Sequence, residues 1–318
     1  MNTAGLVFAL LTTLSWSIGI FPFTVAARRL GANPLNHFRL PLAAMLIFII
    51  AAVAPGSGGI SRLFSEGIWQ AWWWLGLSGL IGLTVGDHFG FGAFAILGPR
   101  LGSVLSTFAP GAALCTGYFL TDDRLSVTGM LGMAVTMFGV MVLSLGREER
   151  SSLPQSPHGS LPKGILFGIL AAFCQGAGLV LAKKGMMSVD GGLAPFQATF
   201  IRLSAAAVTL FLFSILTGRL GEVLIPVRQN RESGLRFAVL GTLFGPVIGV
   251  SLSLFTVSYL DASVAQTVFS LVPVVTLVIS AIIHREPLRM KMVAGVLVAV
   301  AGVVVLVWRD AIEQFIFR

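Results

Sequence analysis

Apolar residues run along this chain in long, nearly unbroken stretches rather than at the spacing of an amphipathic helix or strand. Ten such runs stand out: Ala4–Ala26, Phe38–Ala54, Trp69–Ala93, Leu101–Leu120, Val127–Leu145, Gly164–Ala182, Phe196–Leu216, Leu235–Val257, Ala262–Ile283 and Val293–Trp308. Each is close to the ~20 residues that cross a ~30 Å hydrocarbon layer as a helix. Periodicity inside them is weak, as expected of helices that are apolar on nearly every side. The pattern predicts an all-α integral membrane protein with ten transmembrane helices. No Lys or Arg precedes the first run and no small-residue cleavage site follows it, so it reads as a retained span rather than a signal peptide.

Composition agrees. Of the 318 residues 56% are apolar and 11% charged, against roughly 25% charged in soluble domains. The net charge of +8 would suit a nucleic-acid partner if the basic residues were clustered among aromatics. They are instead scattered through short loops, which marks them as topology determinants and predicts no nucleic acid. Loops after odd-numbered runs carry the larger share, including Arg28, Arg29, Arg100, Arg219 and Arg228, which by the positive-inside rule places both termini outside. Cys115 and Cys174 fall inside runs, so neither a disulfide framework nor a paired-cysteine metal site is expected. His37, His88, His158 and His284 are far apart and none has a catalytic spacing. An enzyme, a cofactor and a bound metal are not expected.

Shifting the sequence by 163 residues aligns Gly5 with Gly168, Arg39 with Arg202, Gly82 with Gly245, Gly86 with Gly249, Pro110 with Pro273, Gly132 with Gly295 and Gly139 with Gly302, without a gap. The chain therefore divides into a first repeat, 1–146, a linker, 147–162, and a second repeat, 163–318. The linker region, "REERSSLPQSPHGSLPK", has the Ser, Pro and charge content of a connector. Five spans per repeat is an odd number, so the second repeat enters the membrane upside down relative to the first. Inverted repeats recur in secondary transporters, because two copies of opposite orientation can exchange conformations and open a central site to either side. A non-transporting assembly or receptor subunit is the alternative, and a membrane enzyme a more distant one.

The stretch "GDHFGFGAFAILGPRLGSVLSTFAPGAALCTGYFLTDDRLS" with "GMLGMAVTMFGVMVL" resembles the ten-helix EamA-like members of the drug/metabolite transporter (DMT) superfamily. The second half repeats the features as "ASVAQTVFSLVPVVTLVISAIIHREPL" and "GVLVAVAGVVVL", so the resemblance covers nearly the whole chain. It implies a multi-pass exporter or facilitator of the cell (inner) membrane that moves a small metabolite or drug-like solute. It also implies a central cavity walled by the first, third, fourth, sixth, eighth and ninth spans, and termini in the cytoplasm, against the charge bias. The expected partners are a small-molecule substrate and membrane lipid, with the chain a monomer or weak homodimer.

Candidate cavity residues follow from polar positions at matched depth. Pro110 and Pro273 each remove a backbone N–H in mid-span, which leaves the carbonyls of Ser106 and Phe269 without a helical donor. Non-helical backbone at that depth is tolerated where it faces protein or a water-filled cavity. Helical spacing from the prolines gives the stripes Ser103, Thr107, Pro110 and Gln266, Ser270, Pro273. Gln266 most needs a partner, since a primary amide in hydrocarbon is costly. Thr12 and its equivalent Gln175 form a second pair, and Trp16 is expected as an aromatic wall. Trp69, Trp72, Trp73 and Trp74 read as interfacial belt residues, and Arg39 and Arg202 as side chains reaching a headgroup or a loop acid.

Asp87 and His88 break the internal symmetry, for their equivalents are Val250 and Ser251. An ionisable residue inside a membrane suggests function. Two roles are open: a protonatable site coupling proton entry to solute exit with His88 as relay, or a structural acid paired with His88, Arg39 or a helix end.

Overall fold

A computed structural model describes residues 2–53, 59–65, 67–144, 159–284 and 290–316. Most of the expected linker and His158 lie outside the described residues. Among the described residues the ordered elements are helices. Eight are long and apolar enough to cross a membrane: Thr3–Leu30, Ala32–Val53, Trp69–Gly98, Leu101–Leu120, Leu161–Met187, Pro195–Leu216, Gly234–Val257 and Ala262–Ile282. The shorter apolar helix Val127–Ser144 is the fifth span. Met290–Val307 is the tenth, bent by 70° from the short amphipathic helix Arg309–Ile316. A second amphipathic helix, Leu220–Gln229, connects the seventh and eighth spans.

Several spans outrun their hydropathy. The second begins at Ala32 rather than Phe38, and the third continues to Gly98 rather than Ala93. The added turn in the second carries Asn33, Asn36 and His37, of which Asn36 and His37 are buried against protein. Hydropathy registers the length that lipid sees, whereas polar residues that face other helices extend the helix without adding to it. Two glycines set the breaks. Gly31, at φ 97°, separates the first two spans, and Gly98, at φ 80° before Pro99, separates the third from the fourth.

The halves interlock through glycine seams. Along the third span, Gly82 abuts Gly178, Gly86 abuts Cys174 and Gly90 abuts Ala171 of the sixth. In the mirror arrangement, Phe23 of the first span covers Gly241 and Gly245 of the eighth, and Trp16 covers Gly249. Each half thus lays its leading helix on the other half's third helix, where small residues permit close approach. The fifth and tenth spans pack on each other away from the centre. A Cβ at Gly132 would stand 2.8 Å from the Gly302 carbonyl oxygen, and one at Gly139 would stand 2.9 Å from that of Gly295. Exchanging the repeats turns the first contact into the second, so the pseudo-two-fold axis passes through this seam.

The loops define two faces. Arg62 donates to the carbonyl of Gly192 at 2.7 Å, and Lys183 meets both Asp123 and Asp261, which gathers these connections on the face that also carries the chain ends. On the opposite face Arg29 pairs with Glu232, and Arg28 donates to the Ala95 carbonyl at 3.4 Å. The tryptophan cluster lies at the amino-terminal face. Trp69 and Trp73 are exposed there, while Trp72 donates to the Leu63 carbonyl at 3.1 Å and Lys184 sits 4.4 Å from the Trp74 ring.

Close glycine contact makes a direct prediction. Gly139→Val forces a side chain into the backbone of Ala299 and should destabilise the protein by about 1–3 kcal/mol, as overpacking does. Gly111→Ala, where nothing lies within 4 Å of the added methyl, should leave the melting temperature in detergent unchanged or raise it. Equal melting of both variants would contradict the seam.

Candidate functional site

The fourth and ninth spans are broken in the same way. In the fourth, Ser106–Phe108 winds as a 3-10 turn before helix resumes at Ala109–Leu120 with Pro110 in its first turn. In the ninth, Ala262–Phe269 ends and Val272–His284 begins with Pro273 in its first turn. The prolines therefore start new helical segments rather than kink old ones. The Ser106 carbonyl is not orphaned, because the tightened turn lets it accept from the Ala109 N–H.

Tightening also changes which residues share a face. An α-helix repeats every 3.6 residues and a 3-10 turn every 3.0. Through the breaks, the inward stripe reads Ser103, Ser106, Ala109 in one half and Gln266, Phe269, Val272 in the other, both at intervals of three and related by the 163-residue shift. Ser270 also faces inward. Thr107, Pro110 and Pro273, expected on this face, are turned away from it and buried. Thr107 donates to its own helix at the Val104 carbonyl, 2.7 Å away.

The third and eighth spans carry a matching irregularity. Gly79–Gly86 and Leu243–Val250 are wound as π-helix, at nearly equivalent places in the two repeats. Such segments are rare and gather at functional sites. Asp87 follows the first of them and accepts from the Arg39 guanidinium through Oδ2. Gln175 Nε2 donates to Asp87 Oδ1 at 2.8 Å and to the Gly82 carbonyl at 3.3 Å. Gln266 Nε2 donates to the Gln175 carbonyl at 3.2 Å. Arg39 completes the network by donating through Nε to Asn36 Oδ1 at 2.8 Å, with its guanidinium 4.8 Å from the Phe91 ring and 5.6 Å from that of Phe23.

Arg39 thus reaches no headgroup. It is the eighth residue of the second span, about 10 Å along the helix, and its side chain is 3% exposed. Arg202 holds the equivalent position in the seventh span and is also buried, with its backbone against Gly79. Its Nε has no hydrogen-bond partner among the described residues. Both arginines face protein, so an outward path to the headgroups is closed to them.

These elements enclose a cavity of about 170 Å³ between the halves. Trp16, Ser103, Gln175, Gln266, Ser270 and Asp87 line it. The structure adds Arg39, Ser106 and four phenylalanines, Phe23, Phe91, Phe94 and Phe269. Trp16 packs edge-on against Phe269 with centroids 5.0 Å apart, which joins the first and ninth spans across the cavity. All six expected spans contribute walls, the second joins them through Arg39, and among the described residues none from the fifth or tenth lines it. Two more expected residues are elsewhere. Thr12 is buried and donates to the Phe8 carbonyl at 2.7 Å. His88, adjacent to Asp87 in sequence, leaves on another side of the helix, where its Nδ1 lies 2.5 Å from Asn33 Oδ1. Neighbouring residues on a helix do not share a face.

The EamA-like transporter family matches residues 3–145 and 162–308. The chain belongs to that family. This EamA-like protein is accordingly a multi-pass membrane protein of a non-enzymatic transporter family, with the ten-helix architecture. No curated protein matches it. A solved crystal structure described only as that of a protein is similar in fold, with a TM-score of 0.67 at 18% identity over 96% of each chain.

Sequence reasoning missed the phenylalanine walls because Phe is abundant in every span, at 24 residues. The inward face of Ser106 was hidden by assuming an unbroken α-helical period. The 163-residue repeat does not expose it, since the shift aligns Ser106 with Phe269 as readily as Thr107 with Ser270.

Removing one member of a buried ion pair leaves the other uncompensated, at a cost of about 3–5 kcal/mol. Asp87→Asn and Arg39→Met should each lower folded yield and melting temperature by an amount in that range, whereas Arg39→Met with Asp87→Leu should recover most of the loss. A double variant as unstable as the sum of the two would show that the pair acts through something other than mutual compensation.

Proposed function

We propose that this protein is a secondary transporter of the cell (inner) membrane, an exporter or facilitator that moves a small metabolite or drug-like solute by alternating access through the central cavity. The observation that carries the reading is that the cavity is walled by a stripe at the same three repeat-equivalent positions in each inverted repeat, Ser103, Ser106 and Ala109 against Gln266, Phe269 and Val272. Exchange of conformation between the halves would then present equivalent walls to either side. Its volume of about 170 Å³ is below the roughly 300–1,000 Å³ of pockets for drug-sized ligands, which favours the metabolite. The two charged lining residues, Arg39 and Asp87, neutralise each other. Aromatic walls with internally compensated charge suit a neutral or zwitterionic solute with an apolar body.

Asp87 serves in this reading mainly to hold the third span against the second and sixth. Its oxygens are engaged by Arg39 and Gln175, and His88 is not placed to relay a proton to it. Transport is then facilitator-like or weakly coupled. Uptake into liposomes holding the purified protein, measured over a panel of amino acids and aromatic metabolites, tests the reading. Gln266→Ala should slow uptake of the accepted solute by about tenfold, equivalent to ~1.4 kcal/mol. Thr107→Ala, off the cavity, should leave the rate within about twofold, a change of less than ~0.5 kcal/mol. An imposed pH gradient should not be needed. No protein-dependent uptake across the panel would defeat transport, and uphill uptake that requires the gradient and is lost selectively in Asp87→Asn would replace weak coupling with proton coupling.

A further inference from the structure

A second pocket of about 520 Å³ opens on the amino-terminal face, walled by Arg62, Lys183, Met186, Leu193, Val257 and Asp261 among others. It is unrelated to the central cavity by contact, yet the repeat relates the two. Moving back by 163 residues takes Lys183, Met186 and Val257 to Ile20, Phe23 and Phe94. Those three line the part of the central cavity that faces the opposite side. The amino-terminal pocket is therefore the pseudo-symmetric mate of the cavity's own mouth.

Between the two lies a closed layer. Leu179, Ala262 and Ala265 are buried in one apolar cluster with Ala113 and Leu254. On the cavity side this layer is bounded by the Gln266 contact to the Gln175 carbonyl. On the pocket side it is bounded by ions: Lys183 Nζ lies 3.3 Å from Asp123 Oδ1 and 2.7 Å from Asp261 Oδ1. Asp123 also accepts from the Ala262 N–H at 3.0 Å, pinning the start of the ninth span to the turn after the fourth. One lysine thus ties the end of the sixth span to both. At the opposite mouth the positions equivalent to Lys183 and Asp261 are Ile20 and Gly98, so the lysine and its more exposed partner are not repeated there.

We infer that the amino-terminal pocket is the second vestibule of the solute path, and that Lys183, Asp123 and Asp261 form the gate that separates it from the central cavity in this conformation. The inference rests on the transport reading above. Opening requires the sixth span to part from the ninth, and the three charged side chains are the polar contacts that hold those ends together at that face. The lysine of this cluster has Ile20 as its repeat equivalent, so among the described residues the two openings of the path are closed by unlike contacts.

The test uses the full-length protein in detergent, in a background of Cys115→Ser and Cys174→Ala, with Leu179→Cys as the reporter inside the closed layer. The rate of modification by a small membrane-impermeant thiol reagent is followed with and without Lys183→Met. The cysteine should be protected in the parent and react about tenfold faster or more with Lys183→Met, the response to a ~1.4 kcal/mol shift toward the open form. Lys183→Arg should restore protection. If Lys183→Met aggregates, Asp261→Asn removes the more exposed arm of the cluster and makes the same comparison. An unchanged rate in a folded gate variant overturns the inference. Labelling needs no solute, so a cluster that responds as expected in a protein that takes up nothing would sink the transport reading, and with it the pocket's role as a vestibule, and leave only the ionic closure of the layer standing.

Discussion

Hydrocarbon offers no hydrogen bonds, so a polypeptide inside it must satisfy its own backbone. That constraint orders this structure. Wherever a span departs from α-helical winding, at Ser106–Phe108, at the Phe269 to Val272 join and in the two π segments, the irregular turn lies at or beside the central cavity. The regular stretches of the fifth and tenth spans are left to face outward and each other. The cavity is in this sense the place where the fold can afford irregular backbone, and the irregularity in turn selects which side chains reach it.

Around the two buried arginines the repeats differ by one acid, Asp87, whose equivalent is Val250. The arginines are symmetric, each the eighth residue of its helix, but Asp87 answers only Arg39 directly, and Arg202 keeps an unpaired Nε. Buried charges are tolerated when paired and hydrogen-bonded, and Arg39 meets that condition through Asp87 and Asn36 of its own repeat, with Gln175 of the second repeat donating to Asp87. The second repeat places its distinctive charge at the end of the sixth span instead, where Lys183 meets acids from both halves. A duplicated framework has thereby acquired two unlike polar contacts at two depths.

The spans and the repeat were legible in the sequence, because apolar length and a gap-free 163-residue shift need only the order of residues, whereas the choice of cavity-walling helices came from the family resemblance and left out the second span, which enters through Arg39. Gln266, Gln175 and Trp16 were legible as inward residues because a large polar or aromatic group at mid-depth has few other places to go. Thr107 and Pro110 were misplaced because a sequence does not announce a 3-10 turn, and a single turn of tighter winding rotates everything beyond it. Arg39 was misplaced for a related reason. Its distance from the helix start depends on the polar turn with Asn33, Asn36 and His37 being helical, which hydropathy cannot register, and Asn36 and His37 there face protein.

The glycine seam between the fifth and tenth spans has a consequence for how such a chain holds together. Gly132 and Gly139 on one side meet Gly302 and Gly295 on the other through backbone, and the two surfaces are the same surface turned over. One repeat alone would present this self-complementary strip to lipid, and a second copy of opposite orientation would be needed to cover it. Joining both copies in one chain converts an encounter between molecules into an intramolecular one at high effective concentration. Closure of the seam is then independent of how dilute the protein is in its membrane, and the ratio of upright to inverted halves is fixed at one by the covalent chain.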